Sequence, residues 1–229
     1  MNNQKQSLSI PIAIIIAGAL IAFGIYWTGR GQAAPKPVAT TQSASDLSSI
    51  APIQPTDHIL GNPKAKVVIV EYSDTECPFC KQFQDTLHQV VESYNGQVAW
   101  VFRHFPVHTK SVNEGNAIEC AAELGGNDTF WKYTDEVFSE TNSNDSLDPA
   151  VLPQIAVKEG LDPTKFNACL SAAKYTDKIN KDRSDVVAAG AEGTPFSVIF
   201  AAGQKIPITQ GALPFADMKN IIDTVLKNS

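Results

Sequence analysis

A Cys-x-x-Cys step joins an apolar run to an amphipathic one in this chain, and that junction restricts the folds open to it. Val67-Val68-Ile69-Val70-Glu71-Tyr72 reads as a buried strand. Lys81 to Leu87 reads as a helix, with apolar Phe83 and Leu87 four residues apart. Between them stands Cys77-Pro78-Phe79-Cys80, a spacing suited to dithiol–disulfide exchange. Pro78 falls at the first helical position, where a missing N–H costs nothing. Cys77 is then the N-cap, facing unpaired backbone N–H groups and the positive end of the helix dipole. A thiolate is stabilised there, and the thiolate is the nucleophile. Cys80, three residues on, lies on the same helix face, close enough to close a ring with Cys77.

The competing reading of the pair is half of a zinc site, completed by His104 and His108 of His104-Phe105-Pro106-Val107-His108. The gap from the cysteines to these histidines is about twice the usual one. Pro106 also breaks any helix that would present both. Redox chemistry is therefore preferred, with no metal and no cofactor expected, and both histidines are read as structural or surface residues.

The chain has 229 residues, 43% hydrophobic and 18% charged, which suits one ordinary domain plus extra segments. A net charge of −6 gives no reason to expect a nucleic-acid partner. Its four cysteines are too few for a disulfide scaffold in a chain of this length and read as two pairs with separate tasks. Ile10 to Trp27 is an 18-residue uncharged apolar stretch, long enough to span a bilayer, with Tyr26-Trp27 suited to the interface. An uncleaved anchor over residues 1–30 is expected. The alternative is a signal peptide cut near Gln32-Ala33-Ala34, whose apolar region would be longer than usual. Lys5, Arg30 and Lys36 give too weak a bias to orient it. Either reading sends the remainder outside the cytosol, where disulfides persist. No Cys follows the apolar stretch, so no lipoprotein anchor is expected.

Residues 31–57, rich in Ala, Pro, Ser, Thr and Gln, read as a disordered spacer stiffened by its prolines. The folded domain is expected over 58–228. After the turn Gly61-Asn62-Pro63 come the strand, the cysteine helix to about Tyr94, and a second strand over Val98 to Phe105. A strand–helix–strand unit implies parallel pairing. Residues 111–190 read as an all-helical unit interrupted by a polar loop at Asn142–Asp148, with Pro149 and Pro163 opening helices. After Gly193-Thr194-Pro195 the pattern returns to strands at Phe196–Phe200 and Lys205–Ile208, and Pro214 starts a last helix. The expected architecture is α/β: a four-stranded mixed sheet with an inserted all-helical lobe, behind an N-terminal transmembrane helix.

This order of elements, with Cys77-Pro78-Phe79-Cys80 after the first strand and Gly193-Thr194-Pro195 after the insert, resembles the DsbA-like thiol–disulfide oxidoreductases of the thioredoxin superfamily. Val68-Ile69-Val70-Glu71-Tyr72-Ser73-Asp74 and Phe102-Arg103-His104-Phe105-Pro106 match the family pattern as they stand. The resemblance covers about residues 58–228 and implies a thioredoxin-like fold and a bacterial source. It makes Cys77 and Cys80 the catalytic pair and Glu71 a buried proton carrier for Cys80. It places substrate against Thr194 and a cis Pro195, with Pro78 and Phe79 beside the sulfurs. It also pairs Cys120 with Cys169 as a structural bridge; two separate buried thiols are the alternative. Phe79 stands where the strongest oxidants of the family carry His, which removes one thiolate donor. Glu76 would oppose a Cys77 thiolate if it pointed inward.

The expected activity is that of a membrane-tethered, extracytoplasmic dithiol oxidase acting on reduced exported proteins. It would work as a monomer and be reoxidised by a membrane quinone-linked thiol oxidase. A reductase or isomerase of the same fold is the alternative, though residues 31–57 are too polar to form a dimerisation domain. A copper-binding metallochaperone is a weaker one, because only two Met are present.

Overall fold

The computed structural model describes residues 47–208 and 211–228. The expected anchor at residues 1–30 and the spacer over 31–46 lie outside the described residues. Among those described, no helix is long and apolar enough to cross a membrane.

Five strands form one mixed sheet: β1 (His58–Gly61), β2 (Val67–Ser73), β3 (Val98–His104), β4 (Phe196–Ala201) and β5 (Gln204–Pro207), in the order β1-β3-β2-β4-β5. Strands β2 and β3 run parallel. They are joined through α1 (Pro78–Ser93), since parallel neighbours need a crossover. The other neighbours are antiparallel. The strand beyond the expected four is β1, which pairs with β3 from His58 opposite Phe102 to Gly61 opposite Ala99. Four residues running into a Gly-Asn-Pro turn carry too little pattern to read as a strand. Gly61 is required where it stands: its φ is +94°, and a Cβ there would lie 2.9 Å from Val91 Cγ1 and 3.1 Å from the Val98 carbonyl.

Every residue of β2 and β3 is buried, as strands covered on both faces must be. One face packs on α1 and on α7 (Phe215–Lys227), through Phe83, Leu87, Met218 and Ile222. The same core takes in α2 (Ser111–Gly125), α3 (Asn127–Glu140), α4 (Val151–Lys158) and α5 (Pro163–Ser171). A disulfide joins Cys120 of α2 to Cys169 of α5, with 2.01 Å between sulfurs and 5.9 Å between Cα atoms. The last helix read into the lobe, α6 (Thr176–Ala188), is bonded to α2 through Thr176 and Lys178 and also covers the opposite face of the sheet, where Val186 and Ala189 meet Val68, Val70 and Tyr72. An apolar sheet needs both faces covered, and α6 supplies the second cover.

The spacer expected over 31–57 ends sooner than its composition suggests. Leu47–Ser49 forms a single 3-10 turn, and Ile50 is fully buried in the α6-side core. Lys205 Nζ donates to the carbonyls of Leu47 (2.9 Å) and Ile50 (2.5 Å). The buried Arg103 guanidinium donates to the carbonyls of Ala51 and Pro52 and grips Asp57 through both carboxylate oxygens, at 3.0 and 2.8 Å. A polar, Pro-containing segment thus becomes ordered because two cations on the sheet satisfy its carbonyls.

Candidate active site

Side chains alternate across a strand, so the odd positions of β2 all face α1. Val67 and Ile69 enter the core there, and Glu71 and Ser73 continue the same row. The chain then turns through Asp74-Thr75-Glu76 and begins α1 with Cys77 as N-cap and Pro78 at its first position. Cys77 and Cys80 are both free thiols, 5% and 0% exposed. Cys77 is less exposed than a helix-terminal position alone suggests. Its Sγ donates to the Thr194 carbonyl at 3.6 Å, which brings the loop before β4 over it. The Thr194–Pro195 peptide is cis. Pro195 is buried, while Pro78 and Phe79 are exposed. Phe79, Glu192, Gly193, Thr194, Gly211 and Ala212 line a depression of about 480 Å³ beside the sulfurs.

The two thiols differ in proton affinity. The Cys80 thiol, hydrogen-bonded to the Cys77 sulfur, draws the Cys77 pKa down to about 6. Burial opposes this, and the Thr194 side chain and the backbone N–H groups of Cys80 and Phe79 reinforce it. Burial drives Cys80 well above its ordinary value, and the bond it gives to Cys77 and the nearby Glu71 push the same way. Glu71 is fully buried and raised to about 8, chiefly by that burial. The neighbouring Ser73 hydroxyl and Trp100 N–H moderate the shift, and a Cys77 charge adds to it. Near neutral pH the arrangement therefore holds a thiolate at Cys77 and protons on Cys80 and Glu71.

Glu71 carries a stability consequence. The folded chain holds this proton more tightly than the unfolded one does, so stability falls as pH rises from about 4.5 to about 8. Glu71→Gln is expected to remove that slope, with little gain at pH 4 and a gain on the order of 3 kcal/mol at pH 7. Urea unfolding of both proteins across pH 4–8 checks it; a gain independent of pH would contradict the raised pKa.

A second acidic group was not singled out by sequence reasoning. The buried Asp74 carboxylate accepts from Glu76 N–H (2.7 Å), Ser111 Oγ (2.7 Å) and the N–H groups of Val107 and His108, and its Oδ1 lies 3.1 Å from His108 Nδ1. Glu76 does not point at the thiolate. Its carboxylate accepts from Thr141 Oγ1 and from the N–H groups of Ser146 and Leu147. Glu114 receives the Thr75 hydroxyl and is raised to about 8, first by burial and then by Glu76 and Asp74. These acids fasten the turn before Cys77 to the 106–111 and 141–147 loops. The only local signal was a polar Ser-Asp-Thr-Glu run in a place that must be buried. His104, on Glu119 at 2.9 Å, and His108, on Asp74, are each held by a carboxylate.

The family model described as Thioredoxin matches residues 54–224. Among solved structures, alpha-DsbA1 of Wolbachia pipientis is 26% identical with a TM-score of 0.67, covering 78% of this chain and 95% of its own. DsbA2 of Pseudomonas aeruginosa is 27% identical with a TM-score of 0.66, covering 76% of this chain and 96% of its own. Among curated relatives, the Na(+)/H(+) antiporter NhaA 1 of Mycolicibacterium gilvum is 28% identical across 83% of this chain and 30% of that protein. The chain spans less than a third of the length of the curated relatives it matches.

Proposed function

The chain belongs to the thioredoxin family and is a DsbA-like thiol–disulfide oxidoreductase, and from that premise we propose that it runs as a dithiol oxidase through Cys77 and Cys80. The observation that carries this direction is the lowered pKa of Cys77 beside a proton-holding Cys80. Whatever stabilises the reduced, thiolate-bearing form makes the disulfide form a stronger oxidant. In this reading a substrate thiolate attacks Cys77 of the Cys77–Cys80 disulfide, and Cys80 departs and takes up a proton from Glu71. A second substrate thiolate then resolves the mixed disulfide, leaving a substrate disulfide and the enzyme dithiol. Thr194, Pro195, Pro78 and Phe79 flank the sulfurs where an extended substrate segment would lie.

The apolar stretch at 10–27 supports a membrane tether with the domain on the extracytoplasmic side, where reduced exported proteins are the substrates and a quinone-linked thiol oxidase the means of reoxidation. Carbonate extraction of membranes tests the tether. Two measurements test the direction. Thiolate absorbance of the reduced protein is expected to titrate near 6. The Cys77–Cys80 couple, equilibrated in glutathione buffers, is expected more positive than about −180 mV. A potential near that of thioredoxin, about −270 mV, would make the protein a reductase.

A further inference from the structure

We propose that the Ser73 hydroxyl relays the proton between Cys80 and Glu71. This rests on the proton step assigned to those two groups above and adds a residue to it. Glu71 and Ser73 leave β2 on the same face, two residues apart. Ser197 stands directly opposite Glu71 on β4, and Trp100 opposite Ile69 on β3. All four are at most 2% exposed. Yet both Glu71 carboxyl oxygens, Ser73 Oγ, Ser197 Oγ and Trp100 Nε1 have no partner at full hydrogen-bond geometry among the protein atoms described, although Ser73 and Trp100 stand near enough to Glu71 to lower its proton affinity. Buried polar atoms are nearly always paired, so a patch of orphans beneath the two sulfurs calls for a functional reason.

Ser73 differs from the other two orphan donors beside Glu71. It acts on both the Glu71 carboxyl and the Cys80 thiol, lowering the proton affinity of each. The peptide N–H that follows it, that of Asp74, lies 3.4 Å from Cys80 Sγ and holds the sulfur over this end of the strand. A hydroxyl can accept and donate at once and rotates freely, whereas the Trp100 indole only donates. When substrate attacks Cys77, the Cys77–Cys80 bond breaks and Cys80 keeps its electron pair as a thiolate. The Ser73 proton passes to Cys80 as the Glu71 proton passes to Ser73 Oγ. Glu71 ends as the carboxylate and Ser73 is regenerated. Reoxidation runs the same path backwards. The titratable groups facing Glu71 are Cys77 and Cys80, both from α1; β3 and β4 contribute the non-titrating Trp100 and Ser197.

The test uses full-length Ser73→Ala, Ser73→Thr and Glu71→Gln, each oxidised and mixed with a dithiol peptide in stopped flow across pH 5–8. Ser73→Ala is expected to slow mixed-disulfide formation at least tenfold below pH 7. It should leave the Cys77 titration unchanged and keep or raise Tm, because an unpaired buried hydroxyl is removed. Ser73→Thr should restore the rate, and Glu71→Gln/Ser73→Ala should be no slower than the slower single variant. A slow Glu71→Gln with Ser73→Ala at the wild-type rate overturns the relay and leaves Glu71 as a direct donor. Both at the wild-type rate overturns the proton reading itself, and a slow Ser73→Ala with Glu71→Gln unaffected removes Glu71 from the path and the relay with it. Loss of Tm together with a rate that Ser73→Thr does not recover would make Ser73 structural.

Discussion

Cys80→Ser, produced as the full chain, is expected to accumulate mixed disulfides with oxidised substrates, while Cys77→Ser traps none and loses all thiol–disulfide exchange. Cys77 is the N-cap of α1, keeps a lowered pKa, and sits beside the depression formed by Phe79, Thr194 and Ala212. Cys80 is one turn further in, fully buried, and holds its proton. Attack by substrate on the oxidised enzyme therefore falls on Cys77; in Cys80→Ser the Cys77 thiolate instead attacks the disulfide of an oxidised substrate and expels one substrate thiolate, and no neighbouring thiol is left to release the mixed disulfide so formed. Both variants should fold, because neither thiol is a covalent tie in the reduced protein. A non-reducing gel of the two variants decides the matter: equal trapping by both, or trapping only by Cys77→Ser, would reverse the roles.

Breaking the other pair should act on stability instead. The Cys120–Cys169 bond spans 49 residues of sequence and ties α2 to α5. By the chain-entropy estimate its removal costs about 4 kcal/mol, and each kcal/mol lowers Tm by about 2–4 °C in a domain of this size. The double variant Cys120→Ala/Cys169→Ala is expected to melt roughly 10 °C lower while keeping the low Cys77 pKa and most of its thiol–disulfide exchange activity. Calorimetry and thiolate titration on the same sample separate the two effects. Mild dithiothreitol on the oxidised wild type should free two thiols, mapped by mass spectrometry to Cys77 and Cys80. Finding Cys120 and Cys169 free before any reduction would remove the bridge from the account.

The parts of the site legible in the sequence are those that local geometry controls. Pro78 at the first helical position makes Cys77 the N-cap, and three residues of helix bring Cys80 onto the same face. Two-residue periodicity carries Glu71 to the face that Val67 and Ile69 already bury. The helical spacing of 111–190 likewise shows the insert, since each helix buries its own apolar stripe.

What tertiary structure decided is the fate of groups with no local pattern. Strand β1 exists because β3 offers it an edge. Residues 47–57 are ordered because Arg103 and Lys205 reach their carbonyls from strands distant in sequence. Helix α6 stays on α2 through Thr176 and Lys178 but carries Val186 to the far face of the sheet, which is apolar and needs a cover. Glu76, read as a threat to the thiolate, is turned away because the loop at 141–147 presents three donors to it. An apolar residue declares its burial by periodicity, because the hydrophobic effect is non-directional and any covering surface will serve. A polar group is settled only by the particular partner that reaches it, and in this chain several of those partners come from segments 33 to 158 residues away.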